Sequence, residues 1–157
     1  MNKKTIIISL LLVLIFIITL VLILLPKEKE NKIANISING IKINDKATKK
    51  MKNLVMDASF QYEYNNVGFS VDKEDKITEI IFHRTQSGDE IYSIKEADVL
   101  YKKEKLTTKD DFDKYLGRGE TTKDDYFTYI TYKEDNLKLR LSIKDGELYN
   151  IEITQDK

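Results

Sequence analysis

The chain has no cysteine, which excludes disulfides, thiolate metal ligands and a thiol nucleophile. Tryptophan is absent, and histidine occurs once, at His83. A lone histidine at the end of an expected strand has no assignable nucleophile or orienting partner. A zinc site built on it would need carboxylates for every other ligand, an unusual set. Proline occurs once, at Pro26. No sign of charge is in excess, with 26 Lys+Arg against 26 Asp+Glu. Lys3 and Lys4 precede the first apolar run, so residues 26–157 carry 24 basic against 26 acidic groups. That balance offers no basic field to hold nucleic acid. Lys, Asn and Ile are abundant, a bias that fits an AT-rich bacterial genome.

One long hydrophobic run stands out. Residues 5–25, TIIISLLLVLIFIITLVLILL, contain no charge, glycine or proline. As a helix they would reach about 31 Å, enough for a hydrocarbon core of about 30 Å. The run is apolar all round, unlike the amphipathic helix of a soluble core. A cleaved signal peptide is the rival reading. It would show an apolar region of about 7–15 residues and a small-residue cleavage site. Here the run ends Leu24-Leu25-Pro26-Lys27, and the first alanine is Ala34. The expectation is therefore an uncleaved single-pass anchor in the bilayer. Residues 1–4 would form a cytoplasmic tail, residues 26–32 a charged linker, and residues 33–157 one extracytoplasmic domain. Lys3 and Lys4 favour a cytoplasmic N-terminus, and long C-terminal domains cross largely regardless of charge.

The outer domain reads as α+β: antiparallel sheet with short helices. Ile36 and Ile38, then Ile41 and Ile43, alternate around the turn signal Asn39-Gly40. Asp45 is suited to cap a helix to about Met56, with Ala47, Met51, Leu54 and Val55 on one face. Phe60, Tyr62 and Tyr64 open a strand that turns at Asn65-Asn66 into Val67, Phe69 and Val71. A third strand follows from Ile77 to His83. Residues 91–105 are ambiguous. Thr108 caps a second helix, with Asp110 and Asp111 in its first turn and Gly117 as its stop. Then come a strand from Tyr126 to Tyr132, the alternation Leu137, Leu139, Leu141 and Ile143, the turn Asp145-Gly146, and a last strand from Leu148 to Thr154. The order suggests a tandem αβββ repeat over residues 41–83 and 106–154. Tyr64 falls over Tyr132; Val67, Phe69 and Val71 over Leu139, Leu141 and Ile143; and Ile80 over Ile151.

The helix–sheet order, the KYLGRGE stretch at residues 114–120 and the Y-x-Y, strand, DG, strand pattern resemble extracytoplasmic modules of the BLIP and SmpA type. They are similar also to the YjgB-type domains of Gram-positive bacteria. The resemblance spans residues 41–154 and implies a binding, inhibitory or assembly module rather than an enzyme. It carries over no functional residue: Gly117 is followed by Arg118-Gly119 where those modules often have proline, and the first half lacks the leucine-glycine pair.

Other constellations have plain explanations. Asp110, Asp111, Asp113, Asp124 and Asp125 lack the alternating ligands and central glycine of a calcium loop. Gly117-Arg118-Gly119 lacks the rest of a dinucleotide fingerprint. Ser93-Ile94-Lys95 and Ser142-Ile143-Lys144 place serine and lysine two apart, as any lysine-rich strand does. No catalytic residue, metal ligand or cofactor is assigned. The expectation is a membrane-anchored module that binds a protein or envelope component. The alternative is a membrane-tethered hydrolase of cell-wall or peptide substrates. If Tyr126, Ile130 and Tyr132 face the core, Phe127 and Tyr129 point to the other face beside Lys138 and Arg140. Those four form a candidate partner site, unless that face is itself covered and the rings are ordinary core.

Overall fold

A computed structural model describes residues 11–20, 30–54, 60–83, 86–87, 90–91 and 97–156, and the side chains of 83, 86–87 and 90–91 lie outside that description. The chain divides into two units, residues 1–30 and 31–157. In the first, residues 11–20 are an α-helix (α1) with exposed side chains, Leu12 and Phe16 among them. Thr19 Oγ1 donates back to the Ile15 carbonyl at 2.8 Å. Among the described residues no helix is long and apolar enough to cross a membrane. The anchor expected over residues 5–25 extends at both ends beyond the described residues.

The second unit is mostly antiparallel sheet. A 3-10 helix at Ile33–Asn35 leads into the hairpin β1 (Ile36–Ile38) and β2 (Ile41–Lys42). After a 3-10 helix at Lys49–Met51 come β3 (Asn53–Leu54), β4 (Tyr62–Tyr64), β5 (Val67–Val71) and β6 (Ile77–His83). A short pair, β7 (Gln86–Ser87) and β8 (Glu90–Ile91), is followed by β9 (Val99–Tyr101) and β10 (Glu104–Lys105). Then come α2 (Lys109–Leu116), β11 (Glu120–Lys123), β12 (Thr128–Glu134), β13 (Leu137–Lys144) and β14 (Glu147–Gln155). The small sheet runs β10-β9-β1-β2 and the large, eight-stranded one β11-β12-β13-β14-β6-β5-β4-β3.

The hairpin turns follow from residues that tolerate positive φ. Asn39 and Gly40 (φ 49° and 82°), Asn65 and Asn66 (53° and 60°), and Asp145 and Gly146 (52° and 80°) all take it. Alternation then sorts the faces. Ile130 and Tyr132, Leu137, Leu139 and Leu141, Ile151 and Ile153, Ile80 and Phe82, and Val67 and Phe69 are buried on one side. They join Ile36, Ile38, Val99 and Tyr101 of the small sheet, and Phe112 of α2, in one hydrophobic cluster. Phe112 stacks on Tyr132 at 6.3 Å, and Tyr101 meets Tyr115 at 5.0 Å. Large sheet, small sheet and helix thus form two layers around one core.

The registers of the two halves correspond. Phe69 pairs with Ile80 and Tyr62 as Leu141 pairs with Ile151 and Ile130. Both meanders carry a register shift at the same place, between Ser70 and Val71 and between Ser142 and Ile143. The extra residues are Thr78 and Tyr149, which the overlay of Ile80 on Ile151 also places together. At the centre, Ile80 pairs with Ile153 and Phe82 with Ile151, around Ile81 opposite Glu152. Exchanging the halves reproduces these pairs. The small sheet repeats the pattern, with Ile36 opposite Tyr101 and Ile38 opposite Val99 around Ser37 and Leu100. Matched pairings therefore begin at β1 and β9, upstream of the boundaries expected from sequence.

The helix expected from Asp45 to Met56 does not form. The chain there has only the 3-10 turn Lys49–Met51 and the short β3, and Leu54 is 81% exposed; Val55 and Met56 lie outside the described residues. Backbone pairing explains the difference. Asn44 N donates to Ile77 O at 2.8 Å, Ile77 N to Asp45 O at 2.9 Å, and Ala47 N to Asp75 O at 2.8 Å, so the segment is tied to the start of β6. Thr48 makes no side-chain cap. In the second half Thr108 and Asp111 form a capping box, and Gly117 ends α2 at φ 84°, as helix-end chemistry requires.

Candidate functional site

The large sheet has a second face, opposite the core, on which Tyr129, Thr131, Lys138 and Arg140 are half-buried. That face exists because β12 and β13 alternate so strictly: with Ile130, Tyr132, Leu137, Leu139 and Leu141 buried, every intervening side chain must stand on the other side. Register sets Tyr129 against Ser142, Thr131 against Arg140 and Lys133 against Lys138.

Three of the four expected site residues come together here. The Phe127 and Tyr129 rings are 6.0 Å apart, and the Arg140 guanidinium lies 5.5 Å from the Tyr129 ring centre. Arg140 Nη2 also donates to Glu152 Oε2 at 2.6 Å. Lys138 shares the face but stands further along β13, beside Lys133 and Thr154. Phe127 and Tyr129 are half-buried and outside the core cluster.

The turn before β12 fixes the rings. Asp124 Oδ1 accepts the Tyr126 and Phe127 amides at 2.8 and 2.7 Å, and its Oδ2 accepts the Tyr129 hydroxyl at 2.8 Å. The amide of Phe127, then that of Tyr126 and the Tyr129 hydroxyl, hold the Asp124 carboxyl below the usual range. The same bond to Asp124 raises the Tyr129 phenol. Donation to a carboxylate stabilises the charged form of the acid and the neutral form of the phenol. Tyr126 was expected on the core side, yet it is 74% exposed. It belongs to the Asp124 turn rather than to β12, so strand alternation does not govern it.

Sequence reasoning missed Tyr149, Glu152 and Lys144. Tyr149 meets Phe127 at 5.3 Å, and Lys144 Nζ is 6.0 Å from the Phe127 ring centre. Tyr149 is the bulge residue, and simple alternation misassigns it. A cleft of about 620 Å³ opens at the other end of the face, lined by Ser70, Glu79, Lys138 and Thr154 among others. Ser70 Oγ donates to Glu79 Oε2 at 2.8 Å.

On the core side, Tyr132 donates to Asp113 Oδ1 at 2.7 Å, and Lys109 pairs with Asp113. Burial, then the bond to Asp113, pushes the Tyr132 phenol far up. Burial alone would raise Asp113; the bonds from Lys109 and Tyr132 outweigh it and lower the carboxyl. This triad docks α2 on β12. Among the described residues no group of three or more His, Asp or Glu is placed to hold a metal ion. Ser93-Ile94-Lys95 and the side chain of His83 lie outside the description. Ser142 is buried in the sheet and the register shift follows it.

No family model and no curated protein matches the chain. Among solved structures it is similar to the crystal structure of YjgB, a DUF4309 family protein from Bacillus subtilis, at 18% identity and a TM-score of 0.39, covering 65% of this chain and 68% of that one.

Proposed function

We propose that this chain is a membrane-tethered binding module. Residues 5–25 anchor it, residues 33–157 stand outside the cell, and the open face of the large sheet recognises a protein or envelope component. One observation carries this reading. Phe127, Tyr129 and Tyr149 cluster, half-buried, outside the core, with the Arg140 guanidinium over the Tyr129 ring. Aromatic and arginine side chains dominate binding energy where such surfaces meet partners. The anchor rests on the length and uniform apolarity of residues 5–25.

The test uses full-length protein in nanodiscs. Wild type should capture a partner from envelope extracts, and Phe127→Ala with Tyr129→Ala should weaken capture at least tenfold, the scale of lost hot spots of about 2 kcal/mol. The melting temperature should change little. Unchanged capture would defeat the proposal. So would a stability loss of about 3–5 kcal/mol, which would mark the rings as core.

A further inference from the structure

The open face contains a local conflict that the fold does not resolve. Lys133 and Lys138 are directly opposed on β12 and β13. Facing side chains in an antiparallel pair have Cβ atoms about 4.5–5.5 Å apart, and like charges there are destabilising. Neither lysine has an ion-pair partner among the described residues; the nearby Arg140 has its own in Glu152. A locally costly pairing with no compensating ion pair among the described residues points to function.

The next strands show what would compensate it. Lys138 pairs with Thr154, Thr154 with Glu79, and Glu79 with Ser70. One row across the sheet thus runs from two cations, past a hydroxyl, to a carboxylate. Thr154 Oγ1 is buried without a hydrogen-bond partner. Asp72, in the turn from β5 to β6, lines the same cleft and adds negative charge at the Glu79 end. A uniform polyanion seated on the lysines would run into these carboxylates. A ligand whose own charge changes sign would not.

Resting on the binding-module reading, we infer that this row takes a mixed-charge peptide segment of a protein partner, its acidic group on Lys133 and Lys138 and its basic group on Glu79. The spacing suits an extended chain. Three strand steps from β12 to β6 are about 14 Å, and residues four apart in a strand are about 13 Å apart on the same face. An acidic residue and a basic residue four apart would therefore reach both ends.

The experiment uses the full chain in nanodiscs of zwitterionic lipid and fluorescence anisotropy with three probes. These are a Gly/Ser peptide carrying Glu and Arg four apart, the same peptide with two Glu, and polyglycerol phosphate. The mixed-charge peptide should bind best, and Lys138→Glu and Glu79→Lys should each weaken it at least tenfold. Thermal melts give a readout independent of ligand. Lys133→Glu should raise Tm by roughly 1–4 °C, because it turns a repulsive pair into an attractive one. Equal or better binding of either anionic probe, no binding of the mixed peptide, indifference to both substitutions, or a lower Tm for Lys133→Glu would overturn the inference. Capture of the natural partner separates the two proposals. If Lys138→Glu retains it while Phe127→Ala with Tyr129→Ala loses it, only this inference fails. If both retain it, the proposed function fails as well.

Discussion

The two halves of the outer unit share their pairing and differ in what they hang on it. Phe69 and Leu141 occupy matched places in the core, each fully buried. On the open face the matched places diverge. Gly68 faces Ile81, where the second half has Arg140 facing Glu152. A Cβ built on Gly68 would stand 2.5 Å from the Phe60 ring, so an aromatic ring closes over the first half at that point. In the second half a charged pair lies beside Tyr129. The core is held to a common plan by packing density, which punishes small changes in volume. The open face has no such constraint, and the second half is where rings and cations collect.

The comparison breaks most forcefully in the core. Phe69→Ala should cost about 3–5 kcal/mol and Leu141→Ala about 2–5 kcal/mol, seen as a lower denaturant midpoint with an unchanged slope. If one costs less than about 1 kcal/mol, the matched registers do not reflect matched packing. A smaller effect, about 1–3 kcal/mol, is expected for Gly119→Ala. Its added Cβ would lie 2.6 Å from Ile130 Cγ2 and 3.1 Å from the Thr131 carbonyl oxygen, and that backbone cannot swing aside. Gly68→Ala meets Phe60 Cδ1, Cε1 and Cγ at 2.5–2.6 Å, a side chain that can shift as a whole where a carbonyl cannot, so it should cost less. Thermal melts of the two variants check the order.

The helix cap sharpens the contrast at about 1 kcal/mol. Thr108→Ala should cost that much, measurable by chemical denaturation. Thr48→Ala should cost nearly nothing, since Thr48 caps nothing. The smallest effect is acid sensitivity. The backbone bond from Thr107 leads the causes that hold the Asp111 carboxyl below its usual 3.8, partly opposed by burial. A depressed folded pKa contributes stability that is present above the unfolded value and lost as pH falls through the folded one. Asp111→Asn should therefore flatten the dependence of Tm on pH below about 4. A steeper dependence in Asp111→Asn would contradict the cap geometry.

Much of this was legible in the chain because local chemistry decided it. Asn65-Asn66 and Asp145-Gly146 announced their turns through tolerance of positive φ. The Leu137, Leu139 and Leu141 alternation announced β13, and Thr108 with Gly117 bounded α2. The failures share a cause: the deciding contact lay far away in sequence. Ala47, Met51 and Leu54 have helical spacing, yet the backbone of Asn44 to Ala47 bonds to the start of β6 instead. Glu120–Lys123 has no alternation to read, and becomes a strand only because β12 offers an edge. Tyr149 joined the aromatic cluster through a bulge whose twin at Thr78 becomes visible only once the registers are set side by side. Of the candidate site, Phe127, Tyr129 and Arg140 were readable from face alternation. Glu152 and Asp124, which hold Arg140 and Tyr129 in place, were not.

The central claim is that the second half's open face is the working surface. It is tested most directly by hydrogen–deuterium exchange of the full chain in nanodiscs, with and without its captured partner. Protection should appear over residues 127–131 and 138–144, leaving residues 62–69 of the first half unchanged. Protection confined to the first half, or none on either face, would contradict the account.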